Sequence, residues 1–174
     1  MIAGHACTRG CRFCAVDTMK TPAQLDPNEP SNLAEAITRM GLSHAVITVV
    51  NRDDLPDGGA QHYRNCIMEV HKTSPEVGLE LLCSDLDGNL EALAALLYEL
   101  PLSVFAHNVE CVPRLDPIVR DPRASFAQSL RILSEASYLR PDLKIKSSLM
   151  VGLGETDLEA VSYTHLTLPT IRLG

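Results

Sequence analysis

Three cysteines, Cys7, Cys11 and Cys14, stand at C-x3-C-x2-C spacing, with Phe13 immediately before the third. Thiolates this close along a chain can fold around one corner of a metal centre, and iron–sulfur clusters are held by thiolates of this kind. A cubane cluster takes four ligands, so three protein thiolates leave one iron open, and an open metal position is where chemistry rather than architecture is done. The other chemistry such a loop could support is a zinc site completed by a histidine. His5, His62 and His107 are the candidates, but no second closely spaced Cys or His pair appears. Cys66, Cys83 and Cys111 are widely separated among apolar residues and read as buried packing thiols.

Other polar residues are spaced to act together. Asn108 and Glu110 are two apart on a predicted strand, so their side chains share a face. A carboxylate buried there needs partners, which a cofactor's hydroxyl or ammonium groups would supply. Arg114, Arg123 or solvent are the alternatives. The loop Arg52-Asp53-Asp54-Leu55-Pro56-Asp57-Gly58-Gly59 could wrap a ligand, although taken alone a solvated turn with a helix cap at Asp57 is the better explanation. Gly152-Leu153-Gly154-Glu155 reads as turn geometry at a strand–helix junction.

Alternating elements must position these groups. Asn32 with Glu35 predicts a capped helix carrying Leu33, Ile37 and Met40 and stopping at Gly41. The apolar run 45–50 predicts a buried strand after it. Helical spacing recurs at Tyr63, Ile67 and Val70, at Leu90, Ala94 and Leu97, and at Phe126, Leu130 and Leu133. Strands are expected over 79–83, 103–108 and 143–151, and Thr156-Asp157-Leu158-Glu159 opens a fifth helix. Such alternation implies parallel βα units with right-handed crossovers, and no Gly-x-Gly-x-x-Gly follows the first strand to indicate a dinucleotide fold. With a short first strand at 2–6, the cysteine loop and the four polar segments above or following residue 83 all fall at carboxyl ends of strands, on one rim.

At 174 residues and 45 % apolar composition, one globular unit is expected. Fifteen Lys and Arg against 22 Asp and Glu, net −7, offer no broad basic field for nucleic acid. Nothing resembles a secretory signal or a membrane span, so no membrane partner is expected and the location is expected to be cytoplasmic. There, clustered cysteines serve metal or redox chemistry rather than disulfides.

Taken together, the segments resemble the lipoyl synthase family of the radical S-adenosylmethionine (SAM) superfamily. The resemblance is carried by Cys7 to Cys14, by Asn51-Arg52-Asp53-Asp54-Leu55 with Asp57-Gly58-Gly59-Ala60, by His107-Asn108-Val109-Glu110 and Val112-Pro113-Arg114, and by Lys146 to Thr156, in family order. It implies an α/β fold, a partial parallel (βα)6 TIM-like barrel, here incomplete with about five βα units. It also implies that Cys7, Cys11 and Cys14 hold a [4Fe–4S] cluster whose open iron is chelated by S-adenosylmethionine. Phe13 would lie near the adenine, Asn108 and Glu110 would bond the ribose or methionyl part, and Asp53 and Arg123 would be second contacts. In such a family a 5′-deoxyadenosyl radical abstracts hydrogen from an octanoyl chain on a carrier-protein lysine, and sulfur is inserted at C6 and C8. The implied partners are octanoylated lipoyl-carrier proteins, the 2-oxoacid dehydrogenase E2 domain and the glycine cleavage H protein, with flavodoxin or ferredoxin as electron donor.

Two features depart from that pattern. The family's auxiliary [4Fe–4S] cluster uses an upstream C-x4-C-x5-C triad and a serine near the C-terminus, neither of which is in this sequence. Residues 1–160 are expected to form the radical SAM core, whereas 161–174 resemble translated sequencing-adapter DNA. Alternative readings are another radical SAM enzyme such as a methylthiotransferase, or a non-catalytic zinc-binding module.

Overall fold

The computed structural model describes the backbone of residues 1–170 and the side chains of residues 1–163; the last four residues of the 161–174 segment lie outside the described residues. A parallel four-stranded sheet runs in the order β3 (His44–Thr48), β4 (Gly78–Leu82), β5 (Val104–Ala106), β6 (Lys144–Lys146). A separate two-residue ladder joins β1 (Ala6–Cys7) to β2 (Asp17–Thr18). Crossovers are made by α1 (Glu29–Met40), α2 (Ala60–Thr73), α3 (Leu90–Leu97), the single turn α4 (Asp116–Val119) and α5 (Phe126–Leu139), and α6 (Asp157–Thr170) follows β6.

Register explains the core. Ile47, Leu81, Phe105 and Ile145 are direct neighbours across the four strands. This row packs with Ile67, Leu93, Leu96 and Ile132 from the helices in one apolar cluster. Burying this row and the helix residues packed on it is the dominant stabilising term, about 25 cal/mol per Å² of apolar surface removed from water. The opposite face is different. Val46 is 52 % exposed there, so β3 alternates buried and exposed residues instead of forming the continuously buried strand expected over 45–50. The sheet does not close on itself among the described residues, as befits a partial barrel with five βα units.

The first unit is shorter than its apolar residues predict. Ile2 makes a single parallel bridge to Val49, and then Ala3 at φ 70° and Gly4 at φ 97° turn the chain out of the sheet. Helix α1 starts three residues ahead of the expected Asn32 cap; Asn28 precedes it without a side-chain cap hydrogen bond, and Pro30, with its fixed φ and missing N–H, suits the first turn. Its end is as expected: Gly41 adopts φ 61° and its N–H meets the Thr38 carbonyl. Both arms of the capping box at α6 form, Glu159 N–H to Thr156 Oγ1 at 3.2 Å and Thr156 N–H to Glu159 Oε2 at 2.8 Å. The helix then crosses position 161 without a break. No helix among the described residues is long and apolar enough to cross a membrane.

Candidate metal and cofactor site

The cysteine loop is held from below and from the side. Met19 N–H bonds the Cys7 carbonyl and Cys14 N–H the Cys11 carbonyl, while Thr8 N–H and Arg12 N–H reach out to Asn51 and Val119 carbonyls. Two amides also face the sulfurs, Arg9 N–H at 3.4 Å from Cys7 Sγ and Asp121 N–H at 3.3 Å from Cys11 Sγ. N–H groups aimed at sulfur stabilise thiolate charge and tune clusters. Burial pushes the Cys11 thiol up, and the Asp121 amide pulls against it. Cys7 and Cys11 are half-buried and Cys14 is exposed.

Arg9, only 4 % exposed, is the hub of this loop. Its Nη1 donates to Asp85 Oδ2 at 2.7 Å, and Nε and Nη2 form a two-pronged bond with Asp53 at 2.9 and 2.8 Å. Burial would pull this guanidinium down, but the two carboxylates outweigh it and raise it above its ordinary value. Asp53 also accepts from Thr8 Oγ1 at 2.7 Å. Arg123 clamps the other side, with Nη2 on the Thr8 carbonyl at 2.6 Å, Nε on Asp121 at 2.8 Å and Nη1 3.1 Å from Asp53. Asp121 in turn accepts from Gly10 N–H at 2.9 Å. Its carboxyl lies far below the usual range, chiefly because of Arg123.

Above the loop opens a concave cleft. It is lined by Cys7, Cys11 and Cys14, by Phe13, Asn108 and Glu110, and by Arg9, Asp85, His107 and Arg120. Asp53 and Arg123 do not line it; they bind the loop's backbone and Arg9 instead. Asn108 and Glu110 do share the cleft wall, but not through strand alternation. Strand β5 ends at Ala106, and Glu110 adopts φ 66° while bridging to Leu149 beside β6. Burial pushes its carboxyl up, against the pull of Arg120 and Asn108. A side-chain-bearing residue held at positive φ costs of order 1–3 kcal/mol, a strain that concentrates at functional sites.

Sequence reasoning missed Arg120. It is 7 % exposed, its Nη1 and Nη2 serve the Val109 carbonyl and Ser129 Oγ, and its Nε is the one buried side-chain N or O without a hydrogen-bond partner among the described residues. An Arg just after an apolar helical turn carries no local signature of this role. The Asp57 loop is structural: Asp57 accepts from Gly59 and Gln61 N–H, and Gly59, at φ 91°, sits so close to Tyr63 that a Cβ would lie 2.8 Å from the ring.

The donor set fits a cluster better than a single ion. Among the described residues Cys7, Cys11 and Cys14 do not bring their sulfurs within 4.8 Å of one another, as three ligands of one ion would. Thiolates that each take a different iron of a cubane need no such convergence. His107 is not available to complete a zinc site. Its Nδ1 donates to the Cys83 carbonyl at 2.9 Å, Nε2 faces Ser129 Oγ at 2.9 Å, and burial pulls the imidazole down so that it stays neutral. His62 is engaged elsewhere, with Glu29. Cys66, Cys83 and Cys111 are buried, as their apolar surroundings predict.

Comparison with known proteins agrees with this geometry. The radical SAM superfamily pattern matches residues 1–166. The chain is 52 % identical over 159 residues to "Lipoyl synthase, mitochondrial" of Branchiostoma floridae, covering 91 % of this chain and 42 % of that protein. It is 52 % identical over 159 residues to "Lipoyl synthase" of Halorhodospira halophila, covering 91 % and 47 %. With "Lipoyl synthase, mitochondrial" of Komagataella phaffii it shares 50 % over 165 residues, covering 95 % and 39 %. The chain thus spans less than half the length of these relatives.

Proposed function

The chain belongs to the radical SAM superfamily, and from that premise we propose that it is the radical-generating part of a lipoyl synthase, an enzyme that inserts sulfur into an octanoyl group on a carrier-protein lysine. The observation that carries the reading is the cleft itself. Three cysteines line it, and its wall sets a half-buried carboxyl, Glu110, near a buried guanidinium, Arg120, whose Nε lacks a hydrogen-bond partner among the described residues. A ligand with both an ammonium and a carboxylate complements that wall, and the methionyl end of S-adenosylmethionine has both.

Cys7, Cys11 and Cys14 would hold the [4Fe–4S] cluster. When bound, cluster and S-adenosylmethionine supply hydrogen-atom abstraction from an unactivated C–H bond. The chain's own residues do the rest. Arg9, Asp53, Asp121 and Arg123 fix the loop so that its thiolates face the cleft, and the amides of Arg9 and Asp121 stabilise sulfur charge. Phe13, 38 % exposed on the cleft wall, offers a flat apolar surface to a nucleobase. Asn108 and Glu110 are placed to accept from ribose hydroxyls or the ammonium, and the Asn108 amide can also donate to a hydroxyl. Asp53 and Arg123 act in this proposal through the loop.

The proposed substrates are octanoylated lipoyl-carrier proteins, the E2 domain of 2-oxoacid dehydrogenases and the glycine cleavage H protein, with reduction by a flavodoxin- or ferredoxin-type donor. Sulfur donation is assigned to an auxiliary [4Fe–4S] cluster of the longer protein. Residues 1–160 are proposed as family core and 161–174 as foreign sequence, which recovery of the source gene tests. The proposed location is the cytoplasm; two of the relatives are named mitochondrial, and cell fractionation decides between the two.

The test is anaerobic reconstitution with iron and sulfide, then reduction in the presence of S-adenosylmethionine. About four irons per chain and release of 5′-deoxyadenosine support the reading. Zinc in place of iron, with no cleavage, overturns it.

A further inference from the structure

A second group of potential metal ligands lies outside the cleft, on the seam between α1 and α2. His62 and Cys66 are four apart on α2 and so project from one face of the helix. Glu29, the first residue of α1, meets them there. Its Oε2 is 2.5 Å from His62 Nε2, and Cys66 Sγ is 3.8 Å from the same nitrogen. One donor atom from each residue lies within 4.8 Å of the other two, and among the described residues no other set of three His, Cys, Asp or Glu is so gathered.

The chemistry of this trio is specific. An imidazole nitrogen, a sulfur and a carboxylate oxygen are the three donor types that zinc takes. Cys66 is fully buried and His62 is 8 % exposed, so any ion there must be nearly neutralised by its ligands. A dication with one thiolate, one carboxylate and a neutral imidazole meets that condition. The cluster cysteines are not involved, and neither is the cleft.

We propose that Glu29, His62 and Cys66 bind a zinc ion that fastens the first turn of α1 to α2, with water in the fourth position. Binding exchanges protons for metal without redox change: the Cys66 thiol proton and the proton shared between His62 and Glu29 leave to solvent as the three Zn²⁺–ligand bonds form. Glu29 also accepts from Ala3 N–H at 2.8 Å. The ion therefore ties down the residue at φ 70° where the chain leaves the sheet toward Cys7.

The test uses the full chain with Cys7, Cys11 and Cys14 replaced by Ser, titrated with Co²⁺ as a spectroscopic probe. One Co²⁺ per chain with a tetrahedral spectrum and a thiolate charge-transfer band, both displaced by Zn²⁺, is the expected result. Cys66→Ser then abolishes the band, and Glu29→Gln weakens binding by roughly tenfold or more. Absence of the band, or a band unchanged by Cys66→Ser, overturns the proposal. Should the triple-serine chain lack a folded circular dichroism spectrum, the cluster-reconstituted chain is loaded with Zn²⁺ and examined by zinc X-ray absorption. One sulfur among nitrogen and oxygen neighbours supports the site; an all-oxygen shell or several sulfurs overturns it.

Discussion

Arg9 and Asp85 form a buried ion pair, 2.7 Å apart with side chains 3 % and 2 % exposed, that joins the cysteine loop to the residue beyond the end of β4. Asp85 also accepts from Gln128 Nε2 at 2.8 Å, so α5 is tied to the same point. The position of the thiolates is thereby referred to the sheet rather than to the loop's own conformation.

Replacing Arg9 by Met leaves Asp85 without its buried counter-charge, while Asp53 keeps Arg123. Removing one partner of a buried pair costs about 3–5 kcal/mol, and a loss of this size is expected in urea unfolding. The reconstituted variant should also hold well under its normal iron. A stability change below about 1 kcal/mol would show that the pair is solvated.

Acid should weaken the fold through the same pair. Burial alone pushes the Asp85 carboxyl up, but Arg9 overrides it and leaves the carboxyl below its ordinary value. A carboxyl lower in the folded than in the unfolded chain adds stability above the unfolded value, about 3.9, and this is lost as pH falls through the folded one. Asp85→Asn should flatten the acid limb of a stability–pH curve, and an unchanged limb would count against the assignment.

Alkali acts through the buried thiols. Burial, with Asp116 second, pushes Cys111 up to about 12, and burial raises Cys83 as well. Both contributions are complete below the ordinary thiol value and decline as pH rises from there through the folded value. Stability should therefore fall progressively above about pH 8.5, and Cys111→Ala should make that decline shallower, as followed by thermal melting across a pH series.

Glu110→Gln keeps the shape of the cleft wall but removes the carboxylate. Affinity for S-adenosylmethionine is expected to drop roughly tenfold or more, the size of a lost charge-assisted hydrogen bond, with iron content unchanged. Equilibrium dialysis and iron analysis on one preparation separate the two; joint loss of cluster and affinity would mean a folding role.

Gly59→Ala should destabilise by about 1–3 kcal/mol, since φ 91° and the approach to Tyr63 both oppose a Cβ. Melting temperature reports this. The folded variant should bind S-adenosylmethionine normally, because Gly59 packs on a helix and does not line the cleft.

Local pattern made the βα alternation readable: Gly41, the Thr156–Glu159 box and the spacing of Tyr63, Ile67 and Val70 each act within a few residues of themselves. The structure puts Asn108 and Glu110 on one cleft with the three cysteines, through the strained backbone at Glu110 rather than through pleat alternation. What stayed hidden was long-range. Arg9 finds Asp53 and Asp85 at separations of 44 and 76 residues, and no periodicity encodes such a meeting. The family resemblance alone put Asp53 and Arg123 forward as second contacts to a cofactor; in the structure they bond Arg9, Asp121 and the Thr8 carbonyl. Arg120 has no local motif, and only its buried, unpartnered Nε singles it out.

The partners that hold the cysteine loop come late in the chain: Gly10 N–H waits for Asp121 and the Thr8 carbonyl for Arg123, 111 and 115 residues on. During synthesis the three thiols emerge more than a hundred residues ahead of these partners, and the loop cannot take up its final arrangement until that intervening stretch has followed. Completion of the loop is thus a late event in folding. Cys7 and Cys11 therefore pass through an interval of fuller exposure to oxidants than the half-buried positions they finally take.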